Sequence, residues 1–200
     1  MSTKSIALTT LICAALASTS ALAESNNWLV RGRLIQIAPD VSTDGTLGTL
    51  GTTDVSKETT VELDFSYFAT KNIALELILA TTRHEVTLNN VSLGKLSHLP
   101  PTVTLQYHFS PDAVFRPYVG LGVNYTHFYD VGLPGFQIGG NSWGGAAQVG
   151  FDYALDQQFF LNVDVKKIKI GTEVKTAAGA KLGNLDIDPM IVGVGIGRRF

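Results

Sequence analysis

The chain has 200 residues and nearly balanced charge, with 15 Lys or Arg against 17 Asp or Glu and a formal net charge of −2. This balance gives no reason to expect nucleic acid as a partner. Mean hydropathy is +0.19, yet after residue 23 no apolar run reaches about 18 residues, which excludes a transmembrane helix.

The first 23 residues have the three parts of a secretory signal peptide. Lys4 supplies a positive charge, residues 6–16 form an apolar stretch too short to span a bilayer, and residues 21–23 have the cleavage-site sequence Ala-Leu-Ala. We expect cleavage there, which leaves residues 24–200 as about one domain; a retained membrane anchor is the alternative. The only cysteine, Cys13, lies within the signal, so the mature chain has no disulfide.

Eight segments of the mature chain alternate apolar residues with polar residues or glycine, which is the pattern of a β-strand with one apolar face. In the first segment, Val30 and Leu34 alternate with Arg31 and Arg33. The last segment has glycines opposite its apolar face, which leaves room for side chains from other strands. The segments are residues 28–37, 59–67, 73–79, 99–109, 119–125, 143–153, 159–165 and 190–200.

The connections between these segments alternate in length. The long, polar ones are 40–58, 85–97, 130–141 and 171–184, and the short ones are 70–72, 110–116 and 154–157. Bacterial outer-membrane barrels have an even strand number, short periplasmic turns and long extracellular loops. The pattern therefore predicts an all-β fold, an eight-stranded antiparallel transmembrane β-barrel in the outer membrane of a Gram-negative bacterium, with both termini periplasmic. A soluble, lipocalin-like barrel is the alternative.

Aromatic residues favour the membrane barrel, because they gather near both ends of the predicted strands. Those near the outer rim are Tyr125, Phe128 and Trp143, and those at the periplasmic ends are Trp28, Tyr67, Phe109, Tyr153, Phe159 and Phe200. Two aromatic belts are typical of proteins that contact membrane lipid at both interfaces. The final aromatic residue is also expected to lie at the interface and to engage the barrel-assembly machinery.

The inward-facing residues of the predicted barrel divide by height, and those on the periplasmic side are mostly charged. An eight-stranded barrel is only wide enough to be filled by side chains or to hold one small ligand. Unpaired buried charges are costly, so these groups should pair and form a plug. The predicted plug residues are Arg31, Arg33, Glu62, Asp64, Glu76, His108, Asp152, Asp164, Lys166 and Arg199.

The outer half of the predicted lumen is apolar instead. We interpret it as a channel for a small hydrophobic molecule, which would lose its favourable surroundings in the charged plug. Packing of the same residues against folded-in loops is the alternative. The predicted channel residues are Ile35, Ile37, Ile78, Ala80, Ile168, Ile170 and Ile191.

Two adjacent prolines, Pro100 and Pro101, interrupt the predicted fourth strand. Neither can donate a hydrogen bond to a neighbouring strand, so adjacent prolines are expected only where strand pairing is broken. Broken pairing in a barrel wall predicts a lateral opening into the membrane. A strand end or bulge near the rim accounts for the prolines equally well.

The sequence gives little support for catalysis or for a cofactor. His108 and Ser110 share a strand face, as in a lipid hydrolase, but no orienting acid is identifiable from the sequence. The four histidines, which are His84, His98, His108 and His127, lie on separate segments without metal-ligand spacing. We therefore expect no enzyme activity, no metal and no cofactor.

Several segments together resemble the OmpW family of outer-membrane proteins, which includes AlkL-type alkane importers. These segments are residues 28–33, 99–109, 116–126, 161–168 and 188–200. The resemblance implies an eight-stranded barrel that takes up small hydrophobic compounds passively and releases them sideways into membrane lipid. Arg198 departs from the family pattern, which usually has an aromatic residue there. A structural or adhesive barrel acting through its extracellular loops is the alternative function.

Overall fold

The computed structural model describes residues 27–200, so the predicted signal peptide lies outside the described residues. In chain order the elements are β1 (Trp28–Ala38), β2 (Ser42–Thr43), α1 (Gly45–Thr49), β3 (Thr53–Val55), β4 (Glu58–Phe68), β5 (Ile73–Ala80), β6 (Thr82–Leu88), β7 (Val91–Leu99), β8 (Thr102–His108), β9 (Phe115–Gly132), β10 (Phe136–Ile138), β11 (Asn141–Ala154), β12 (Phe159–Ile168), β13 (Gly171–Thr176), β14 (Lys181–Asp186) and β15 (Met190–Arg199).

Eight of these strands form a closed antiparallel barrel, which confirms the predicted fold. Around the wall the order is β11, β12, β15, β1, β4, β5, β8 and β9, and β9 pairs with β11 to close the sheet. The N–H of Phe200 donates to the carbonyl oxygen of Trp28 at 2.8 Å. We call the end of the barrel where these two residues lie the terminal end, and the opposite end the loop end.

The outer face of the wall is apolar, and the inner face toward the terminal end is polar, the reverse of a soluble protein. Leu121 and Trp143 are 72% and 74% exposed, whereas Arg31 and Arg33 are completely or almost completely buried. This distribution opposes the lipocalin-like alternative, which requires an apolar interior. Among residues 27–200, no helix has the length and hydropathy that crossing a membrane requires.

Aromatic side chains mark both rims of this apolar surface. At the terminal end, the rings of Trp28 and Tyr67 lie 5.1 Å apart. Near the loop end, the rings of Tyr125 and Trp143 lie 4.8 Å apart on neighbouring strands. Between these rims lies the part of the wall that faces lipid.

Two aromatic residues differ from their expected placement. Phe128 is buried rather than part of the outer belt, because β9 continues to Gly132 and the alternation turns Phe128 toward the interior. Phe200 lies at the terminal end, but its ring is only 5% exposed. The guanidinium carbon of Arg198 lies 4.7 Å from the centre of that ring and covers it.

The long connections, expected as polar loops, are largely β-structure. At the loop end, β3, β6 and β7 extend the wall sheet, while β10, β13, β14 and β2 form a separate four-stranded sheet. The hairpin of β6 and β7 turns at Asn89 and Asn90, whose φ angles of 50° and 65° suit a tight two-residue turn. We call these elements, α1, the part of β9 after Tyr125 and their connecting loops the loop-end extension; it lies past the rim formed by Tyr125 and Trp143.

The glycine-lined face of β15 lies against Arg31 and Arg33 of β1. A Cβ atom on Gly195 would lie only 2.1 Å from the carbonyl oxygen of Gly32 and 2.7 Å from Cα of Arg33. A Cβ atom on Gly197 would lie 3.0 Å from Cγ of Arg31. The glycines therefore leave the space that the two arginine side chains occupy.

We expect Gly195→Ala to lower the free energy of unfolding by about 1–3 kcal/mol, because the added methyl group must displace the backbone of β1. Urea unfolding in lipid vesicles, followed by tryptophan fluorescence, measures this change. Gly145→Ala is the matched control, because nothing lies within 4 Å of its Cβ position. Equal losses in the two variants would contradict the close approach.

Candidate functional site

Arg31 links three strands across the terminal half of the lumen. Its Nε and Nη2 atoms donate to the two carboxylate oxygens of Asp152, at 3.0 and 2.7 Å. Its Nη1 atom lies 2.9 Å from both Glu76 Oε1 and Ser66 Oγ. Because these partners belong to β11, β5 and β4, the single guanidinium holds distant parts of the wall together.

Arg33, two residues further along β1, makes a second set of ion pairs. Its Nε atom lies 2.8 Å from Asp64 Oδ2, and its Nη2 atom lies 3.1 Å from Glu76 Oε1. It also donates to Asp164 on β12. Since Arg31 and Arg33 share Glu76, their two sets of partners form one network.

Lys166 extends this network on the side of β12. Its ammonium group donates to Glu62 and lies 3.3 Å from Asp164 Oδ2. Arg33 is also 3.5 Å from Glu62. We call the group formed by these charged residues the ion network; its members are Arg31, Arg33, Glu62, Asp64, Glu76, Asp152, Asp164 and Lys166.

Neutral side chains complete the ion network around Glu76. The Oε2 atom of Glu76 accepts hydrogen bonds from Gln106 at 2.6 Å, from Gln148 at 2.8 Å and from Thr104 at 3.3 Å. His108 joins indirectly, because its Nε2 atom lies 3.0 Å from Gln106 Oε1. The ion network and these neutral side chains therefore fill the terminal half of the lumen with polar groups.

Arg199, expected in the plug, lies at the terminal mouth of the barrel. Its guanidinium carbon is 4.2 Å from the centre of the Phe68 ring. It lines an open cavity of about 360 Å³ together with Lys71 and Arg116.

The loop half of the lumen contains a cluster of buried apolar side chains, which we call the apolar cluster. Five of the seven predicted channel residues belong to it, namely Ile35, Ile37, Ile168, Ile170 and Ile191, and the partly buried Ala80 packs against it. Ile78 is also buried, but it lies outside this cluster. It pairs with Asp64 across the sheet, which places it at the level of the ion network.

Side chains from the loop-end extension close the apolar cluster. They include Leu47 of α1, Leu133, Val174 of β13 and Leu185 of β14. A cavity of about 30 Å³ remains among them. Ligand pockets usually have about 300 Å³ or more, so this arrangement has no room for a small hydrocarbon. In this conformation the predicted channel is packed against folded-in loops.

The wall is interrupted at Pro100 and Pro101. Pairing between β5 and β8 ends at Ile78 and Thr102, and pairing between β6 and β7 begins at Thr82 and His98. Residues 79–81 on one side and 99–101 on the other thus lie outside these two ladders. We call this gap between the ladders the wall break. On the opposite side, Tyr125 N–H donates to the carbonyl of Pro101 at 3.0 Å, so β9 keeps its pairing.

Sequence reasoning missed a polar surface on the inner side of the wall break. Asn124 donates to Thr102 at 2.9 Å and to the carbonyl of Pro100 at 3.1 Å. The imidazole rings of His84 and His98 stack above it, with centroids 5.1 Å apart and planes 10° from parallel. The inward parity of these residues was available in the sequence, but their proximity depends on the strand register.

The features considered for catalysis and metal binding do not form a site. His108 is buried beside Gln106, whereas Ser110 is exposed in the turn after β8. Within residues 27–200, no group of three or more His, Cys, Asp or Glu side chains is arranged to hold a metal ion.

Comparison with known proteins places this geometry among outer-membrane barrels. The family model described as "OmpW family" matches residues 24–200. An outer-membrane protein of Sinorhizobium fredii is 41% identical over 185 residues, covering 86% of this chain and 80% of that protein. Outer membrane protein W of Escherichia coli is 35% identical, covering 98% of this chain and all of that protein. A dibenzothiophene metabolism operon protein of Pseudomonas aeruginosa is 28% identical, covering 89% and 90%.

Solved structures show the same architecture. The outer membrane protein OprG of Pseudomonas aeruginosa superposes with a TM-score of 0.77 at 30% identity, covering 87% of this chain and 95% of OprG. Outer membrane protein AlkL, solved in lipid bilayers, gives a TM-score of 0.68 at 28% identity, covering 92% and 94%.

We expect Arg33→Met to lower the free energy of unfolding by about 3–5 kcal/mol, because several buried carboxylates lose their cation. Urea unfolding in lipid vesicles measures this loss. Lys71→Met is the control: its partner Asp112 is 3.0 Å away, but both side chains are exposed, so we expect at most about 1 kcal/mol. Equal losses of stability in Arg33→Met and Lys71→Met would show that the buried carboxylates do not depend on Arg33 for their pairing.

Proposed function

Because this chain belongs to the OmpW family of outer-membrane proteins, we propose that it is a passive channel for small hydrophobic molecules. The chain lies in the Gram-negative outer membrane, where its apolar outer face contacts lipid. One relative bears the name of an operon for dibenzothiophene metabolism, and dibenzothiophene is a small apolar molecule. The proposed cargo of this chain is of the same chemical class.

The observation that carries the proposal is the change in chemistry along the lumen. Apolar side chains such as Ile35 and Ile168 fill its loop half, and ion pairs around Arg33 fill its terminal half. A hydrophobic molecule gains a favourable environment in the first half. It would have to disrupt buried charge pairs to cross the second half. We therefore propose that the ion network is a plug against movement along the barrel axis.

Entry requires the loop-end extension to move. Side chains such as Leu47 and Leu185 occupy the space above the predicted channel, and only about 30 Å³ remains there. An arriving hydrophobic molecule would replace these side chains against the same apolar wall, so the exchange costs little apolar burial. We propose that this displacement is the gate.

The wall break offers the exit. It lies at the border between the apolar cluster and the ion network, where cargo would stop. Pro100 and Pro101 supply no N–H groups there, so opening it sacrifices fewer hydrogen bonds than opening a continuous ladder. We propose that cargo leaves sideways through it into membrane lipid.

This direction of transport requires the terminal end to face the periplasm, as the short turns there predict. We also propose that residues 1–23 are removed as a signal peptide and that Phe200 engages the assembly machinery. The proposed role is not enzymatic. An adhesive role is less well supported, because apolar side chains of the loop-end extension face the lumen.

We expect Ile168→Asp to reduce the initial rate of naphthalene uptake about tenfold or more, because a carboxylate in the apolar cluster disfavours apolar cargo by at least about 1.4 kcal/mol. Uptake is measured in cells with an intact lipopolysaccharide layer, and heat-modifiable gel migration verifies folding. Leu50→Asp, at a 44% exposed position, is the matched control. Unchanged uptake by a folded Ile168→Asp barrel would refute the channel.

We expect the double substitution Pro100→Val and Pro101→Val to lower the same uptake rate about fivefold while leaving the barrel folded. Residue 101 faces β9, because its carbonyl accepts from Tyr125, so the new N–H of residue 100 is the one that faces the gap; once paired it is worth about 1 kcal/mol and favours a closed wall. Amide hydrogen exchange reports whether the ladder has formed. Pro111→Val, in a turn at the terminal end, is the control. A formed ladder with normal uptake would exclude lateral release.

A further inference from the structure

Two imidazole rings, those of His84 and His98, lie between the apolar cluster and the wall break. On the inner face of β6, His84 stands between Thr82 and Val86; on β7, His98 stands between Leu96 and Pro100. Val86 and Leu96 belong to the apolar cluster, and the ring of Phe128 from that cluster is 6.0 Å from His98. Cargo moving from the cluster to the break would therefore contact both imidazoles.

These rings hold polar atoms without a hydrogen-bond partner among residues 27–200. Both ring nitrogens of His98 and Nε2 of His84 are buried and unpaired there. The side chains of His84 and His98 are only 1% and 2% exposed, respectively. A buried polar group without a partner is costly, so a concentration of three such atoms calls for an external partner.

The neighbouring polar residues do not supply this partner, because they satisfy one another. Asn124 donates to Thr102 at 2.9 Å, and Thr126 donates to Asn124 Oδ1 at 2.7 Å. At the wall break, the buried side-chain atoms that lack a partner among residues 27–200 belong to the two imidazoles.

The hydrogen-bonding roles of the imidazoles follow from their contacts. His84 Nδ1 lies 2.6 Å from the carbonyl oxygen of Ser56, which can only accept, so Nδ1 carries the proton and Nε2 is an acceptor. A neutral His98 offers one donor and one acceptor. In the loop-end extension, burial and the nearby His84 lower the pKa of His98 to about 3, and burial lowers the pKa of His84, so both rings are neutral near pH 7.

We propose that His84 and His98 form a subsite for a neutral hydroxyl group, so that the preferred cargo is a small apolar molecule carrying one O–H, such as a phenol or an alcohol. This inference rests on the proposed channel function. The hydroxyl donates to Nε2 of His84 and accepts from the N–H of His98. The two rings are stacked with their centroids 5.1 Å apart, so both lie beside the same bound molecule.

The subsite explains selectivity better than a purely apolar passage does. A hydrocarbon passing the two rings leaves their nitrogens unpaired, whereas a hydroxylated molecule pairs with them. An ionised carboxylate is disfavoured, because no cation is present at the two neutral rings to offset its desolvation. The subsite therefore favours neutral amphiphiles over both hydrocarbons and acids.

The test compares uptake of 1-naphthol and naphthalene, which differ by one hydroxyl group, in cells expressing the protein or its variants. We expect His98→Phe and His84→Phe each to reduce 1-naphthol uptake about five- to tenfold, the equivalent of one lost hydrogen bond to a buried group. Naphthalene uptake should stay unchanged. His127→Phe is the matched control, because this exposed residue pairs with Asn141 at 2.8 Å outside the lumen.

The outcomes separate the subsite from the channel. If the wild-type protein accelerates neither compound, the channel function fails. If it accelerates both, and the variants change both equally or leave both unchanged, the subsite is wrong and the channel stands. Imidazole ¹⁵N shifts of the wild-type protein in lipid nanodiscs give a readout without transport or substitution. Shifts of His84 and His98 with 1-naphthol but not naphthalene support the subsite, and absence of any shift overturns it.

Discussion

Burial of Arg31 and Arg33 inside the barrel is the interaction on which the rest of the structure depends. Two guanidinium groups on one strand would be prohibitively costly in the lumen unless carboxylates met them from several directions. Strands β4, β5, β11 and β12 supply those carboxylates, so the ion pairs extend across the lumen rather than along one face. The glycines of β15 provide the space in which the arginine side chains lie.

This arrangement divides the lumen and thereby defines what the barrel can do. The terminal half is occupied by paired charges, and the loop half remains available to apolar groups. In the described conformation those groups are the protein's own side chains, contributed by the loop-end extension. In the proposed function, transport exchanges one apolar occupant for another, and movement along the barrel axis ends where the charges begin. The wall break lies at that border.

The loop-end extension has a structural role that its polar composition does not indicate. Its strands form a sheet of their own and a continuation of the wall, and their apolar side chains point into the lumen. The same extension places His84 against His98 beside the wall break. The parts expected to be polar loops therefore cover the apolar cluster and line the wall break, which are the proposed entrance and exit.

Much of the fold could be predicted from the sequence, because the information is local. A period of two identifies a strand and its two faces wherever it occurs, as with Val30, Arg31 and their neighbours in β1. The short turns, the two prolines and the glycines of β15 are equally local signals. These features sufficed to predict the number of strands, the inverted distribution of polarity and the division of the lumen.

The hairpin turn at Asn89 and Asn90 was also a local signal, but polar composition in that segment obscured it. Phe128 was misplaced for a related reason. The alternation of side chains shows the two faces of a strand but not where the membrane boundary lies along it. Because β9 continues past the wall, Phe128, which resembled a belt residue, faces inward.

Only the tertiary structure decided which groups meet. Arg31 and Asp152 are 121 residues apart in the chain, and their bidentate pair follows from barrel closure and strand register. The packing of Leu47 and Leu185 over Ile35, and the stacking of His84 on His98, have the same origin. The sequence by itself determined which residues face inward, since that depends on the alternation of one strand. Their partners depended on how eight strands close, because closure alone brings distant inward faces together.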